Sequence, residues 1–440
     1  MGRLKPALPL STVNEMTQSG SASPFDDLGR AIEAKDVARA EAVLVRHPEL
    51  KRRLDEAIPG GQFGATALLV AAGHRDRAMI DLLLREGADI NARSHWWAGG
   101  FGVLDRDPDD LTDYLISRGA TVDIYAASRH GRLDRVDALL AADPSLVHAR
   151  GGDGQTPLHV AQTLAIAERL VAAGADIDAI DVDHESTPAQ YLIRDHQDVV
   201  RYLIGRGCRT DILMASALGD MDLVRSHLDA DLAAAGTTVS DFWFPRQNPH
   251  AGGSIYNWTL GHYKIVHEIA REFGHEEVVQ LLMKRSPAVI KLAAACELGE
   301  EDLLNRLVTA EPGFAPSPTS QDARRLPDAA NRNRPTAVRL YLAAGWPVDA
   351  RGEHGASALH WAGWNGNLEM VRAILRAGPS LNLKDAQHDG TPLGWAIYGS
   401  KHGWHCRTGD YAGVVNALLD AGAPLMPAPD GVEPDASEAV

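Results

Sequence analysis

A unit of about 33 residues recurs along this 440-residue chain, and this repeat limits the chain to folds built from small stacked elements. Three blocks show it clearly: TPLHVAQTLAIAERLVAAGADIDA from Thr156, TALLVAAGHRDRAMIDLLLREGADINA from Thr66 and SALHWAGWNGNLEMVRAILRAG from Ser357. Leu-rich segments along the chain end at glycines, and two of these, Gly345 and Gly378, stand 33 positions apart. Such a period indicates a row of similar units rather than one large core.

The residues inside one unit predict two short helices joined by a turn. Thr156 has a hydroxyl that caps a helix, and Pro157 suits the first helical position, where its missing N–H is not needed. Apolar residues such as Ile80 and Leu83 recur at helical spacing in the second segment, and Gly87 supplies a left-handed C-cap. Because so small a pair buries little apolar surface alone, we expect the units to stack side by side.

These residues give the chain a resemblance to the ankyrin-repeat family. The matching positions are the Thr-Pro-Leu-His run at 156–159, Gly366 before a second helix, and the Gly-Ala-Asp runs at Gly87 and Gly174. The resemblance implies an all-α ankyrin-repeat solenoid with short β-hairpin fingers. It also implies that the histidine of the motif is structural, bonding to the capping residue and to neighbouring backbone.

Weaker units fill most of the remaining sequence. DIYAASRHGRLDRVDALLAADPSLV from Asp123 and DILMASALGDMDLVRSHLDADL from Asp211 keep the two apolar segments and the turn but lack the TPLH start. Strong and weak units together number about twelve, and twelve times 33 is about 400 residues. The sequence therefore predicts about twelve helix-turn-helix units and leaves little room for a separate catalytic domain.

Breaks in the repeat divide the chain into five predicted segments. They are a disordered N-terminal segment 1–24, an N-terminal array 25–232, an aromatic-rich insertion 233–264, a C-terminal array 265–426 and an acidic disordered tail 427–440. The sequence around Pro316 is predicted to be a linker or a loop between two sub-arrays. Residues Gly399 to Asp410 are predicted to lengthen the turn between the two helices of the last strong unit.

Charge excludes several kinds of partner. The chain has 43 basic and 59 acidic residues and a formal net charge of −16, so nucleic acid and anionic membrane surfaces would repel it. No apolar run approaches the roughly 18 residues that a membrane-spanning helix needs. We expect a protein partner of basic or mixed charge, no nucleic acid and no membrane.

The cysteines indicate a compartment. Cys208, Cys296 and Cys406 lie far apart and form no CxxC pair, which is typical of a reducing environment. We therefore expect a cytoplasmic protein, and a monomer. Arginine outnumbers lysine and alanine is abundant, which favours a bacterial source.

Large aromatic residues give the candidate partner-binding site. Trp364 and Tyr398 fall at the end of the first helix of adjacent units, which in the ankyrin family faces the concave groove that binds partners, and Trp404 follows in the lengthened turn. Exposed aromatic rings are typical interface anchors. Trp96 and Trp97 form a second candidate at a finger, unless they compensate there for irregular stacking. The predicted function is a non-enzymatic protein-interaction scaffold.

The alternative is a small-molecule receptor or an enzyme with a pocket under the 233–264 insertion. That pocket would use Tyr256, Trp258, His262 and His267. A histidine such as His267 is more simply a buried, hydrogen-bonded residue at a core position. We find no nucleotide-binding or hydrolase motif, and we predict no catalytic residue and no cofactor.

One loop has ligand-type side chains at close spacing. His402, His405 and Cys406 occur in the sequence HGWHC, but a zinc site normally needs four such ligands, and no second pair lies nearby. The sequence therefore predicts no metal site.

Overall fold

A computed structural model describes residues 23–310 and 321–425 of the chain. These residues form two compact units. The N-terminal unit holds the residues up to 210 together with 240–261, and the C-terminal unit holds 211–239 and the residues from 262 onward. The aromatic-rich insertion predicted over 233–264 is therefore divided, because its middle belongs to the N-terminal unit and its ends to the C-terminal unit.

Three predicted segments fall wholly or mainly outside the described residues. They are the N-terminal segment 1–24, the linker around Pro316 and the acidic tail 427–440. The first described helix already begins at Pro24.

The N-terminal unit is built from ten α-helices in its described part. They are α1 (Pro24–Glu33), α2 (Val37–Arg46), α3 (Ala67–Gly73), α4 (Arg77–Arg85), α5 (Thr112–Ser117), α6 (Ile124–Arg129), α7 (Leu133–Ala142), α8 (Leu164–Ala172), α9 (Pro188–Leu192) and α10 (Gln197–Gly205). A 3-10 helix, Pro157–Val160, stands before α8, and a π-helical turn covers Asn257–Gly261.

The C-terminal unit has twelve α-helices in its described part. They are α11 (Ile212–Leu218), α12 (Met221–Ala230), α13 (Val266–Glu272), α14 (Glu276–Arg285), α15 (Ala288–Leu298), α16 (Glu301–Ala310), α17 (Arg325–Asn331), α18 (Pro335–Ala343), α19 (Ala358–Trp364), α20 (Leu368–Arg376), α21 (Pro392–His402) and α22 (Tyr411–Asp420).

The helices confirm the predicted repeat count. Ten antiparallel pairs are complete, and two further repeats have a single α-helix, α5 and α8, so the described residues contain twelve repeats. Neighbouring pairs stack side by side: α19 packs against α17 and α21, and α20 packs against α18 and α22. The all-α repeat solenoid predicted from the sequence is therefore the observed fold class.

Capping residues determine where many of these helices begin and end. Asp123 accepts a hydrogen bond from the backbone N–H of Ala126 at 2.8 Å and so satisfies one of the unpaired donors at the start of α6. Gly219 and Gly299 end α11 and α15 in the left-handed conformation, each with φ of 71°. Local sequence alone is thus enough to place these boundaries.

The predicted β-hairpin fingers are not formed as strands, since the described residues contain isolated β-bridges only. Each finger is a tight loop, as where the N–H of Gly151 donates to the carbonyl of Gln155 at 2.8 Å. The loops are too short for a ladder, and their tips bond to neighbouring loops instead. Asp153 donates its N–H to Gly99 O at 3.2 Å and accepts from the N–H of Val182 at 2.9 Å.

The middle of the insertion packs against the repeat of α9 within the N-terminal unit. The N–H of Gly252 donates to the carbonyl of Asp183 at 2.7 Å, and the N–H of Ile255 donates to Ser186 Oγ at 3.1 Å. Residues 240–261 therefore extend the row of finger loops by one further loop.

Apolar side chains between neighbouring helix pairs form the core of each unit. In the C-terminal unit, for example, Leu359, Ala362, Val371 and Ile374 are fully buried. Alanine at such positions lets adjacent helices approach closely, which is why short helices suffice. Across residues 23–310 and 321–425, none of the helices combines the length and the apolar character needed to cross a bilayer.

Candidate functional site

Five aromatic side chains meet at the last two repeats and are called here the C-terminal aromatic cluster: Trp361, Trp364, Trp395, Tyr398 and Trp404. The ring centroids of Trp361 and Trp395 lie 5.0 Å apart, and those of Trp364 and Tyr398 lie 6.1 Å apart with planes only 23° from parallel. Trp404 stacks 6.1 Å from Trp361 and meets Trp364 edge-on at 6.0 Å. The structure thus brings together three of the sequence-predicted site residues.

The turn predicted over 399–410 is shorter than expected, because residues 399–402 continue α21 to His402. The remaining residues, 403–410, create this cluster by folding back over the end of α19. Helix α21 has 11 residues against 7 in α19, and the chain then reverses. The hydroxyl of Tyr411 donates to Trp364 O at 2.7 Å, and the N–H of Asp410 donates to Gly366 O at 2.9 Å. Gly366 has φ of 60°, and a Cβ there would lie 2.8 Å from the Tyr411 ring, so glycine is required.

Exposure separates the members of the cluster. Trp404 is 54% exposed and Tyr398 is 41% exposed, whereas Trp361 and Trp364 are buried at 5% and 6%. The prediction that Trp364 is an exposed anchor is therefore wrong, because the turn that carries Trp404 covers it. The indole N–H of Trp364 is buried and has no acceptor among the described residues, and such a group commonly marks a functional or strained position.

Positive charge and an apolar groove border the exposed rings. Lys401 and Arg407, on either side of Trp404 in the sequence, are exposed. A shallow groove of about 470 Å³ runs beside Tyr398, lined by Leu393, Gly394, Ile397, Tyr398, Lys401 and Leu425. The surface at this end of the C-terminal unit is thus aromatic and apolar with a cationic rim.

The second pair of candidate tryptophans lies in the N-terminal unit and divides in the same way. Trp97 is 42% exposed, and its ring lies 6.1 Å from that of His250. Trp96 is half-buried, with its ring 4.9 Å from Phe63 and its indole N–H donating to Asp153 Oδ1 at 3.1 Å. Of the two, Trp97 is thus the exposed ring, and its role as a partner-binding residue stays a prediction.

The residues of the alternative pocket are divided between the two units. Tyr256 and Trp258 belong to the N-terminal unit, and Tyr256 is fully buried. His262 and His267 belong to the C-terminal unit, where His267 is fully buried and its Nε2 lies 3.2 Å from Ser286 Oγ. His267 thus has the buried, hydrogen-bonded environment expected of a core histidine.

The motif histidines have the structural role that the resemblance implies. His159 accepts at Nδ1 from the N–H of Thr156 at 3.0 Å and donates from Nε2 to Ser186 O at 3.1 Å. His360 repeats this arrangement with Ser357 and Gly390. Burial lowers the pKa of His159 to about 4, so its neutral form, which these bonds require, persists at neutral pH.

Charged side chains form a buried network in the C-terminal unit, where they lie on or at the end of the first helix of successive repeats, α13, α15 and α17. Arg332 binds both carboxylate oxygens of Glu268, at 2.6 and 2.8 Å, and lies 3.4 Å from Glu297. Burial opposes the ionisation of Glu268, but the hydrogen bonds and charge of Arg332 outweigh it and hold the pKa of Glu268 below its usual range. Burial and then the charge of Glu268 raise the pKa of Glu297 to about 7, and Tyr341 donates to Glu297 at 2.9 Å.

A cluster that the sequence analysis missed lies at the finger tips of the N-terminal unit and is called here the Asp–His cluster: Asp153, Asp183 and His184. His184 Nε2 lies 3.4 Å from Asp183 Oδ2 and 3.8 Å from Asp153 Oδ2. The side chains are 5% exposed or less. Asp153 and Asp183 stand about one repeat apart in loops that follow one another, and that spacing is the signal that could have revealed them.

In the loop sequence HGWHC, the three ligand-type side chains each have a different environment. His402 packs its ring 4.4 Å from Tyr398, and His405 Nε2 lies 3.4 Å from the side-chain nitrogen of Asn333, while Cys406 is exposed. Among the described residues, the group of metal-ligating side chains whose donor atoms approach one another closely is the Asp–His cluster instead.

Comparison with known proteins identifies the repeat. Three family models match the chain: an ankyrin repeat at residues 63–95, three copies of ankyrin repeats at 124–234 and many copies of ankyrin repeats at 326–375. A curated relative, the Arabidopsis thaliana E3 ubiquitin-protein ligase KEG, is 24% identical over 407 residues. That match covers 86% of this chain, and the chain spans 23% of the length of the plant protein.

A similar solved structure, the human ASB11 ankyrin repeat domain, shares 17% identity. The match covers 69% of this chain and 99% of that domain with a TM-score of 0.25, too low to support a structural argument. The family models, the twelve helix-turn-helix repeats and the bonded motif histidines agree with one another, and the chain is an ankyrin-repeat protein.

Proposed function

We propose that this chain is a non-enzymatic scaffold that binds a partner protein on the concave groove of its repeats, with the C-terminal aromatic cluster as the anchor. Ankyrin repeats in general serve as protein-interaction modules. The observation that carries the proposal is the pair of exposed rings, Tyr398 and Trp404, held against two buried tryptophans.

The fixed position of these rings favours binding. Tyr398 lies nearly parallel to Trp364, and Trp404 stacks on Trp361, so both rings lose little side-chain freedom when a partner covers them. An aromatic ring supplies a large contact area at low entropic penalty.

Charge favours a partner of mixed sign. The net charge of −16 attracts basic proteins at long range. Next to Trp404, however, Lys401 and Arg407 favour a carboxylate on the partner. We therefore expect a bound segment in which an apolar side chain is flanked by an acidic residue, on a protein whose wider surface is basic.

The remaining features agree with an interaction role in a reducing compartment such as the cytoplasm. Cys208, Cys296 and Cys406 are unpaired thiols. The alternative pocket has less support, because the fully buried Tyr256 is packed within its unit and does not line an opening.

We expect the double variant Tyr398→Ala/Trp404→Ala to lose at least about tenfold in affinity for a partner, because truncating an exposed aromatic anchor typically removes 1–2 kcal/mol or more. Partners are captured from the native lysate with the full chain, and each one is then titrated against wild type and variant by calorimetry. Trp364 is left intact, since its removal would open a cavity in the core.

The matched control is Phe242→Ala, which removes a ring of 55% exposure from the N-terminal unit. That variant should bind every captured protein as wild type does. If the double variant also keeps every affinity, the C-terminal aromatic cluster is not the anchor and the proposal fails.

A further inference from the structure

We propose that Asp153, Asp183 and His184 form a binding site for a divalent metal ion, with Zn²⁺ as the ion that fits the donors best. Each of the three residues offers one donor atom, and these atoms lie within 4.8 Å of one another. His184 Nε2 lies 3.4 Å from Asp183 Oδ2 and 3.8 Å from Asp153 Oδ2. In a tetrahedral site with bonds of about 2.1 Å, donor atoms stand about 3.4 Å apart. The separation of His184 Nε2 from Asp183 Oδ2 equals that spacing at 3.4 Å, and its separation from Asp153 Oδ2 exceeds it by about 0.4 Å at 3.8 Å.

The ring of His184 is oriented as a ligand. Its Nδ1 lies 2.9 Å from the carbonyl oxygen of Gly253, and because a carbonyl only accepts hydrogen bonds, Nδ1 carries the proton. In the neutral ring Nε2 then presents its lone pair to the two carboxylates. Metal-bound histidines commonly hold their second nitrogen in this way, which fixes both tautomer and ring orientation.

A simple ion pair between a protonated His184 and the carboxylates explains the distances less well. Hydrogen bonds between an N–H cation and a carboxylate are about 2.7–2.9 Å long. The separations from Asp183 and Asp153 are 3.4 and 3.8 Å, which are too long for such bonds. These distances instead leave room for an ion between His184 and the two carboxylates.

Burial and the surrounding hydrogen bonds also favour a cation at this point. His184 is 1% exposed and both carboxylates are 5% exposed, so a divalent cation bound between them would offset the energetic cost of burying two negative charges side by side. The indole N–H of Trp96 donates to Asp153 Oδ1 at 3.1 Å, and the N–H of Gly252 donates to Asp183 Oδ1 at 3.3 Å. Each carboxylate is thus fixed by one oxygen while the other faces His184.

The donor set points to a borderline metal. Carboxylate oxygens alone suit Mg²⁺, Ca²⁺ and Mn²⁺, whereas an imidazole nitrogen favours Zn²⁺ and its neighbours. Three protein ligands leave a fourth position for water or for a group from a partner. Because the ligands come from two finger loops and Gly253 orients His184, the ion would fasten the insertion residues 240–261 to those loops.

Zinc titration of the full chain, after removal of metal with a chelator, tests the proposal. Calorimetry should show one Zn²⁺ bound per wild-type chain, and Asp183→Asn and His184→Ala should each weaken binding at least about 100-fold. Asp183→Asn keeps the shape of the side chain, so far-UV circular dichroism matching wild type separates loss of the ligand from loss of the fold. The double variant His402→Ala/Cys406→Ala should bind Zn²⁺ as wild type does.

A spectroscopic signal gives a second reading of the same site. The ring of Trp258 lies 4.6 Å from that of His184, so bound Co²⁺ should quench its fluorescence. The variant Trp258→Phe should keep the stoichiometry and lose part of the quenching, because Trp96, which donates to Asp153 at 3.1 Å, also lies near the ion. The proposal is overturned if wild type binds no Zn²⁺, if Asp183→Asn binds it equally well, or if the His402/Cys406 variant is the one that loses it.

Discussion

Replacing Arg332 by methionine is expected to lower the free energy of unfolding by about 4 kcal/mol, because breaking a buried ion pair from one side typically has an effect of 3–5 kcal/mol. The guanidinium holds both oxygens of Glu268 and lies 3.4 Å from Glu297, and the side chains of these three residues are 11%, 7% and 3% exposed. Methionine keeps much of the volume but leaves Glu268 facing Glu297, with Arg334, 3.0 Å from Glu268 and 41% exposed, as the remaining cationic partner of Glu268. Urea unfolding at neutral pH, followed by circular dichroism, measures the loss.

Two comparisons separate charge from packing in this network. Arg339→Met removes a guanidinium that also binds a carboxylate at two points, on Glu301, but these side chains are 47% and 53% exposed. Its effect should stay below about 1 kcal/mol. Adding Glu268→Gln to Arg332→Met removes one of the two facing charges and should restore part of the stability. Equal losses for Arg332→Met and Arg339→Met would show that burial of the network is not important for stability.

Local chemistry explains how much of the fold could be predicted from the sequence. The cap at Asp123, the left-handed ends at Gly219 and Gly299 and the bonded His159 each depend on residues within a few positions of one another. Because the repeat copies one such local unit along the chain, recognising it once predicts the number of repeats.

Contacts between distant residues explain what could not be predicted. The position of Trp364 at the end of its helix indicated exposure, but the turn around Trp404 covers it, and nothing near Trp364 in the sequence encodes that turn. The finger loops bond from tip to tip instead of pairing as strands, and this depends on how neighbouring repeats stack. The same stacking places Asp153 beside His184, which have no local relation.

The buried histidine His267 predicts a loss of stability in acid. Burial, and then the positive charge of Arg325, lower the pKa of His267 from its ordinary value of 6.5 to about 3. The unfolded chain takes up a proton on this residue below pH 6.5, while the folded chain does not. The stability that His267 contributes is therefore complete above pH 6.5 and is lost as the pH falls from 6.5 towards 3, with about 3 kcal/mol gone at about pH 4.5.

Two carboxyl groups, on the buried Glu297 and the partly buried Asp328, act in the opposite direction over part of this range. Burial raises the pKa values of Glu297 and Asp328 to about 7, so the folded chain holds protons that the unfolded chain releases. Their contribution rises as the pH falls from 7 towards their ordinary values of 4.5 and 3.8. The pH dependence of the free energy of unfolding of the wild-type protein is thus a sum of opposing contributions. Only a comparison between wild type and a variant isolates the contribution of His267.

The comparison is between wild type and His267→Gln, which keeps a polar side chain but removes the titrating ring. At neutral pH we expect the variant to be the less stable protein, since glutamine packs less well in this fully buried site. Relative to wild type it should then gain about 3 kcal/mol between about pH 7 and pH 4.5, measured by urea unfolding at a series of pH values.

Ser286→Ala is the matched control: it removes the hydroxyl 3.2 Å from His267 Nε2 but leaves the ring, so its profile should keep the acid sensitivity of wild type. Parallel profiles for wild type and His267→Gln would mean that the folded protein accommodates the charged ring, and that burial of His267 is not what makes the fold sensitive to acid.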